Sequence, residues 1–259
     1  MGLWTKEHFY LIIPSFIIFI AFSVILGKAL KNKSEKTRYL PLQIITIVLL
    51  ALEFMKQGYN IKDTGYDLYA LPFHYCSLFL YLLPLHSFYK GKFKKVTDAV
   101  SISCLASLFL FMLVMPDVVF SAGNITGFNK NFSNFHTVTF HLLVCLYFLL
   151  SLTLTPFEFD VKKDFKVTAI FLAIYVIIAT IMSFSLKVNF HNLYKCNLGM
   201  VEDIRLALMD KIGIFGHILY VVVLFFLTIL FAFAAYLLTK GILKLISNIK
   251  EKISSKKTA

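Results

Sequence analysis

Apolar residues run through this chain in seven long blocks, separated by short polar stretches rich in lysine. The blocks predict helices over 8–27, 40–59, 69–89, 96–116, 134–155, 165–186 and 214–239. Each is near the ~20 residues that a helix needs to cross a hydrocarbon core of roughly 30 Å. Membrane strands would be about 10 residues long and would alternate in polarity. Lipid also leaves unpaired backbone without partners, which favours helices. The pattern predicts an all-α fold: a polytopic transmembrane helix bundle of seven spans, one integral membrane domain over 1–259. The first block is not a signal peptide, because its apolar run is too long, no A-x-A site follows and its positive charge comes after it.

Composition agrees. Hydrophobic residues make up 59% and charged residues 15%, against about 45–50% and 25% in soluble domains. The net charge of +12 is mostly a topology signal and does not point to nucleic acid. Lys28, Lys31, Lys33, Lys36 and Arg38 fill one loop, Lys90, Lys92, Lys94 and Lys95 another, and Lys162, Lys163 and Lys166 a third. With the tail lysines they alternate consistently through seven spans, which puts the N-terminus outside and the C-terminus in the cytoplasm. The expected location is the cell membrane, with several passes. The tail, 240–259, places Ile242, Leu245, Ile246, Ile249 and Ile253 at helical spacing among lysines. It suits a basic amphipathic segment on an anionic inner leaflet, and equally a tail that only fixes topology.

No G-x-x-x-x-G-K-[ST] or H-E-x-x-H motif is present, so an ATP-driven machine would need a partner subunit. Cys104 and Cys145 sit mid-span as small packing residues. Cys76 and Cys196 share the outer side, where a disulfide between them would silence either thiol.

Ionisable groups inside a span are costly and are functional candidates by default. Here they converge. Glu53 and Lys56 lie near the outer end of span 2, His74 and Cys76 at the start of span 3, His136 and His141 at the start of span 5, and His217 and Tyr220 at the start of span 7. The outer loop before span 7 adds Asn189, His191, Asn192 and Tyr194. At ~1.5 Å rise per residue, Cys76, His141 and Glu53 each lie roughly 10 Å from the outer end of their span. Toward the cytoplasm stand only His86 and Asp98, placed to snorkel or cap. Each residue also has a bland role. Glu53 and Lys56, at i, i+3, can simply pair, and a histidine in a span can bond between helices. Pro72 is tolerated in a helix's first turn, so Cys76 is expected in the second turn, where the positive helix end favours a thiolate. His74 points away from Cys76 by about 200° on one helix, which makes His141 the better base.

The stretch "LPFHYCSL" resembles the L-P-[LF]-H-x-C-x-L signature of the YwaF-type bacterial integral membrane proteins, a family of seven predicted spans. "FHTVTFHLLVCLYFL" is similar to that family's H-x(5–7)-Y-L stretch, with His141 aligned and His136 its rival. "NFHNLY" is similar to its N-Y-M-Y segment, whereas the last span opens "IFGHILY" in place of a Trp-rich start. Eukaryotic relatives include a transmembrane acyltransferase that works on ether phospholipids through an acylated cysteine. The resemblance implies that Cys76 is the counterpart of that cysteine and that His141 supports it. It does not carry a substrate.

Three readings follow. The first is a lipid acyltransferase or lipid esterase of the outer leaflet. Cys76 attacks an acyl ester, His141 acts as base, Asn189 or Tyr194 stabilises the oxyanion, and membrane lipids are the partners, with no cofactor. The second is a transporter component with Glu53, His74 and His141 on a solute or proton path. The third is a sensing module in which His74, Cys76, His141 and His217 ligate zinc.

Overall fold

The computed structural model describes residues 4–197 and 199–258, with the side chains at 62–64, 250 and 253–258 outside the description. Lys250, Ile253, Lys256 and Lys257 of the tail pattern therefore lie outside the described side chains. Among the described residues the regular elements are all helical.

Among the described residues, six helices are long and apolar enough to cross a membrane. They are α1 (Lys6–Leu30), α2 (Glu35–Thr64), α4 (Lys94–Val114), α7 (Phe132–Leu154), α8 (Val161–Leu186) and α10 (Ile214–Thr258). Shorter helices are α3 (Phe79–Phe88), α5 (Pro116–Val119), α6 (Ala122–Thr126) and α9 (Gly199–Ile212). Most long helices start on a side-chain cap that takes an otherwise orphaned amide. Thr5 and His8 cap α1 reciprocally, Asn131 takes the Asn134 N–H at 2.8 Å, and Asp160 takes the Lys163 N–H at 3.2 Å.

The third apolar block takes a different form. Residues 71–74 are not helical, a 3₁₀ turn covers Tyr75–Leu78, and only then does α3 begin. Pro72 accounts for this. A proline disfavours the helical region for the residue before it, and Leu71 sits at φ −59°, ψ 143°. Pro72 is thus outside the helix, and Cys76 lies in the opening turn, not the second. The helical run from Tyr75 to Phe88 is about 20 Å long at ~1.5 Å per residue, short of a hydrocarbon core of roughly 30 Å.

α4 and α7 form the centre of the bundle. Of their most apolar windows, 61% and 56% are buried, against 17% for α1 and α10, which present apolar faces outward. The main core brings Leu82 and Leu83 of α3 against Cys104 and Leu105 of α4, Tyr147 and Leu150 of α7 and Leu172 and Ala179 of α8. A second cluster packs Ile12 and Phe16 of α1 on Met112, Val138 and Cys145. Cys104 and Cys145 are core residues, and all four cysteines are free thiols. α10 runs unbroken into the basic tail.

His86 and Asp98, placed by their sequence positions to snorkel or cap, form a network at the lysine-rich end of the bundle. His86 is 1% exposed. Its Nδ1 accepts from, or donates to, the Tyr147 hydroxyl at 2.7 Å, and Lys94 reaches both the His86 carbonyl and the Asp98 carboxylate. Burial gives these groups partners within the protein where a surface residue would use water.

Candidate functional site

A non-helical backbone at membrane depth is tolerated only where protein satisfies it, and this explains the residues around "LPFHYC". Four carbonyls of the segment are taken by side chains. Asn60 donates to the Asp67 carbonyl at 3.1 Å, His74 Nε2–H to that of Tyr69 at 3.0 Å, Gln57 to that of Ala70 at 2.9 Å, and the Tyr175 hydroxyl to that of Phe73 at 3.0 Å. A carbonyl cannot donate, so His74 carries its proton on Nε2 here. The ring lies between Tyr69 and Phe190, with centroids at 4.4 and 5.2 Å. His74 therefore holds the segment in shape, and no hydrogen bond joins it to Cys76.

The charged centre comes from α2. Glu53 Oε1 receives Lys56 Nζ at 2.7 Å and Gln57 Nε2 at 2.6 Å. Its Oε2 faces His136 Nε2 of α7 at 3.2 Å, an ion-pair distance without hydrogen-bond alignment. Glu53 and His136 are 9% and 5% exposed, so this pair crosses the interior between two helices. The i, i+3 pair read from the sequence is thus present.

Cys76 is half-buried and packs against the main core. It sits in the first turn after His74, where amide N–H groups have no intrahelical partner and the dipole favours negative charge. His141 is buried, and its Nδ1 donates to the Thr137 carbonyl at 2.7 Å. That bond fixes the tautomer and leaves the Nε2 lone pair for a proton. His141 and Cys76 share no hydrogen bond in this arrangement. His136, the rival histidine, is committed to Glu53.

The segment 187–197 closes over this region. Lys187, His191 and Asn192 have φ of 54°, 49° and 57°, in the left-handed region that costs non-glycine residues energy. His191 stacks on Tyr75 at 5.5 Å and meets Tyr175 at 5.7 Å. Its Nε2 lies 3.4 Å from the Thr228 hydroxyl.

Of the expected oxyanion donors, Asn189 is otherwise engaged. The Asn189 amide reaches Asn192 and Asn197, and its oxygen accepts the Tyr194 and Lys195 N–H groups. The Tyr194 ring packs on Phe184. His217 and Tyr220 serve the same closure. His217 Nε2–H donates to the Leu193 carbonyl at 2.9 Å and its Nδ1 accepts from Arg205 at 3.1 Å. The Tyr220 hydroxyl donates to the Asn192 carbonyl at 2.6 Å. Arg205 holds Glu202 through two bonds of 2.6 and 2.8 Å, and Glu202 accepts the Cys196 N–H. Arg205 beside it holds the Glu202 carboxyl down at about 2. Sequence reading missed Gln57, Arg205 and Glu202: Gln57 is an uncharged residue one position from the Lys56 that drew attention, and Glu202 and Arg205 form an i, i+3 pair of the kind ordinary on an exposed helix.

No group of three or more metal-ligating side chains is gathered among the described residues, so His74, Cys76, His141 and His217 do not form a metal cage.

The TMEM164 family model matches residues 3–234. The chain belongs to the TMEM164 family. The matched span runs from before α1 into α10 and includes every residue of the region just described, leaving out the basic tail. No curated protein and no solved structure matches the chain. As a TMEM164 family protein it is a membrane protein of several apolar helices, with its polar centre at the end that carries "LPFHYC".

Proposed function

We propose that this TMEM164 family protein is a cysteine-dependent lipid acyltransferase or lipid esterase, working in the outer leaflet of the cell membrane. The observation that carries the reading is a free, half-buried thiol in the first turn of a helix, in a region with a histidine whose tautomer is fixed for proton acceptance.

The chemistry runs in two halves. His141 Nε2 takes the Cys76 thiol proton, directly or through one water. The thiolate attacks the carbonyl carbon of a lipid acyl ester, and the C–O bond to the lipid breaks. His141 returns the proton to the departing alkoxide, which leaves a thioester on Cys76 and a lysolipid. In the second half an acceptor hydroxyl, or water, gives its proton to His141 and attacks the thioester. The new ester or free acid departs and the thiol is restored. The oxyanion of each step is met by the Cys76 N–H and the Lys56 ammonium, since the Asn189 amide is engaged by Asn192 and Asn197 and the Tyr194 ring is packed on Phe184. Losing one such donor typically slows a reaction about 10²–10³-fold. The topology read from lysine placement supports an outer-leaflet site, near the headgroup boundary where lipid ester bonds lie.

The test is acyl exchange in nanodiscs between a labelled diacyl phospholipid and a lysophospholipid, followed by mass spectrometry. Wild type forms the exchanged product and Cys76→Ala does not. Equal turnover by the two proteins would remove Cys76 from the chemistry.

One observation favours the transport reading: the buried His86–Tyr147 network gives the lysine-rich end a polar cluster of its own. That reading predicts proton or solute flux that Glu53→Gln and Tyr147→Phe both abolish.

A further inference from the structure

Gln57 ties the charged centre to the backbone that carries the thiol. Its two amide hydrogens go to different places: one to Glu53 Oε1 at 2.6 Å, the other to the Ala70 carbonyl at 2.9 Å. Its oxygen accepts from the Tyr66 hydroxyl at 2.8 Å. Both donor positions are therefore used, and each use bears on Cys76. The bond to Ala70 anchors the chain just ahead of Leu71 and Pro72, where it leaves helical geometry. The bond to Glu53 shares the oxygen that Lys56 binds at 2.7 Å, so it partly compensates the carboxylate of that pair.

We infer that Gln57 is a positioning residue for Cys76: it fixes the distance between the Glu53–Lys56 pair and the thiol-bearing turn, and it tempers the Glu53 charge. This rests on the reading of Cys76 as the nucleophile. Loss of the amide has two consequences. The Ala70 carbonyl loses its side-chain partner, so the segment shifts relative to Lys56. Glu53 also loses a donor, so its field opposes a thiolate more strongly.

The test needs no lipid substrate. Cys76 and Cys196 are alkylated by a small maleimide in detergent across pH 6–10, and their rates are resolved by peptide mass spectrometry. In Gln57→Leu the Cys76 rate at neutral pH is expected to fall roughly tenfold, the scale of one lost hydrogen bond to a charged group. Its pH midpoint is expected to rise. Gln57→Glu, which adds a second carboxylate, raises the midpoint further. Cys196 keeps its wild-type profile in both. A Cys76 profile that superposes on wild type in the folded variants would overturn the inference, as would equal shifts at Cys76 and Cys196, the mark of general loosening. If Gln57→Leu does not fold, Gln57→Glu decides alone, by whether the Cys76 midpoint rises. Failure of the acyl-transfer reading would appear separately, as absence of any acyl adduct on a Cys76 that still responds to Gln57.

Discussion

His136 Nε2 stands 3.2 Å from Glu53 Oε2, and this contact joins α7 to α2 in the interior of the bundle. Glu53 holds Lys56 through its other oxygen, so one carboxylate sets the position of two groups on different helices. Removing it leaves the Lys56 ammonium without its partner. Glu53→Ala is expected to destabilise the protein by roughly 2–3 kcal/mol, below the usual cost of breaking a fully buried pair because Lys56 remains partly exposed. Thermal unfolding in detergent measures this. Lys56→Ala together with Glu53→Ala should recover part of the loss.

The Thr137 carbonyl determines which nitrogen of His141 can take a proton. His141→Ala is expected to slow acyl transfer about 10²–10⁴-fold, the range of general-base catalysis. His136→Ala, in contrast, should act mainly through Glu53 and on stability. Comparing turnover with unfolding temperature for the two variants distinguishes base from pair partner.

Glu202 gives the closing segment a defined pH response. Arg205 lowers its carboxyl from an ordinary 4.5 to about 2. Folding thus favours the ionised form. The stabilisation is fully present above pH 4.5 and is lost as pH falls through about 2. Limited proteolysis within 187–197 should be constant from pH 8 to 5 and rise below pH 4. Glu202→Gln should show the faster cleavage at neutral pH, with the acid-dependent rise removed.

The His86–Tyr147 bond is fully buried. Tyr147→Phe removes one partner and leaves the other unsatisfied, a loss of about 1–3 kcal/mol. Under the acyl-transfer reading this appears in the unfolding temperature and leaves the rate of thioester formation on Cys76 unchanged.

Much of this arrangement was legible in the sequence, for stated physical reasons. Apolar block length predicted the long helices, because bilayer thickness fixes it. The i, i+3 spacing of Glu53 and Lys56 predicted their pairing. Pro72 was expected in the first turn of a third helix, but the residue before a proline is driven out of helical geometry: Leu71 is extended, the α-helix begins only after the Tyr75–Leu78 turn, and the side chains of Asn60, Gln57, His74 and Tyr175 meet carbonyls of the segment. Asn189, Tyr194, His217 and Tyr220 resembled reactive groups because they are polar at the same depth as Cys76. A closing segment with left-handed residues at His191 and Asn192 demands the same residue types to hold its backbone. Depth alone cannot separate those two uses. Tyr147 was hidden because a tyrosine reads as apolar in a hydropathy pattern, while its hydroxyl supplies the partner that keeps His86 inside.

The most direct test of the central claim is the intact mass of the wild-type protein and of Cys76→Ala after incubation with diacyl phospholipid, before and after hydroxylamine. The account predicts an acyl-sized mass increase on wild type that hydroxylamine removes and that Cys76→Ala never acquires. An unmodified wild-type protein, or an adduct that persists in Cys76→Ala, would contradict it.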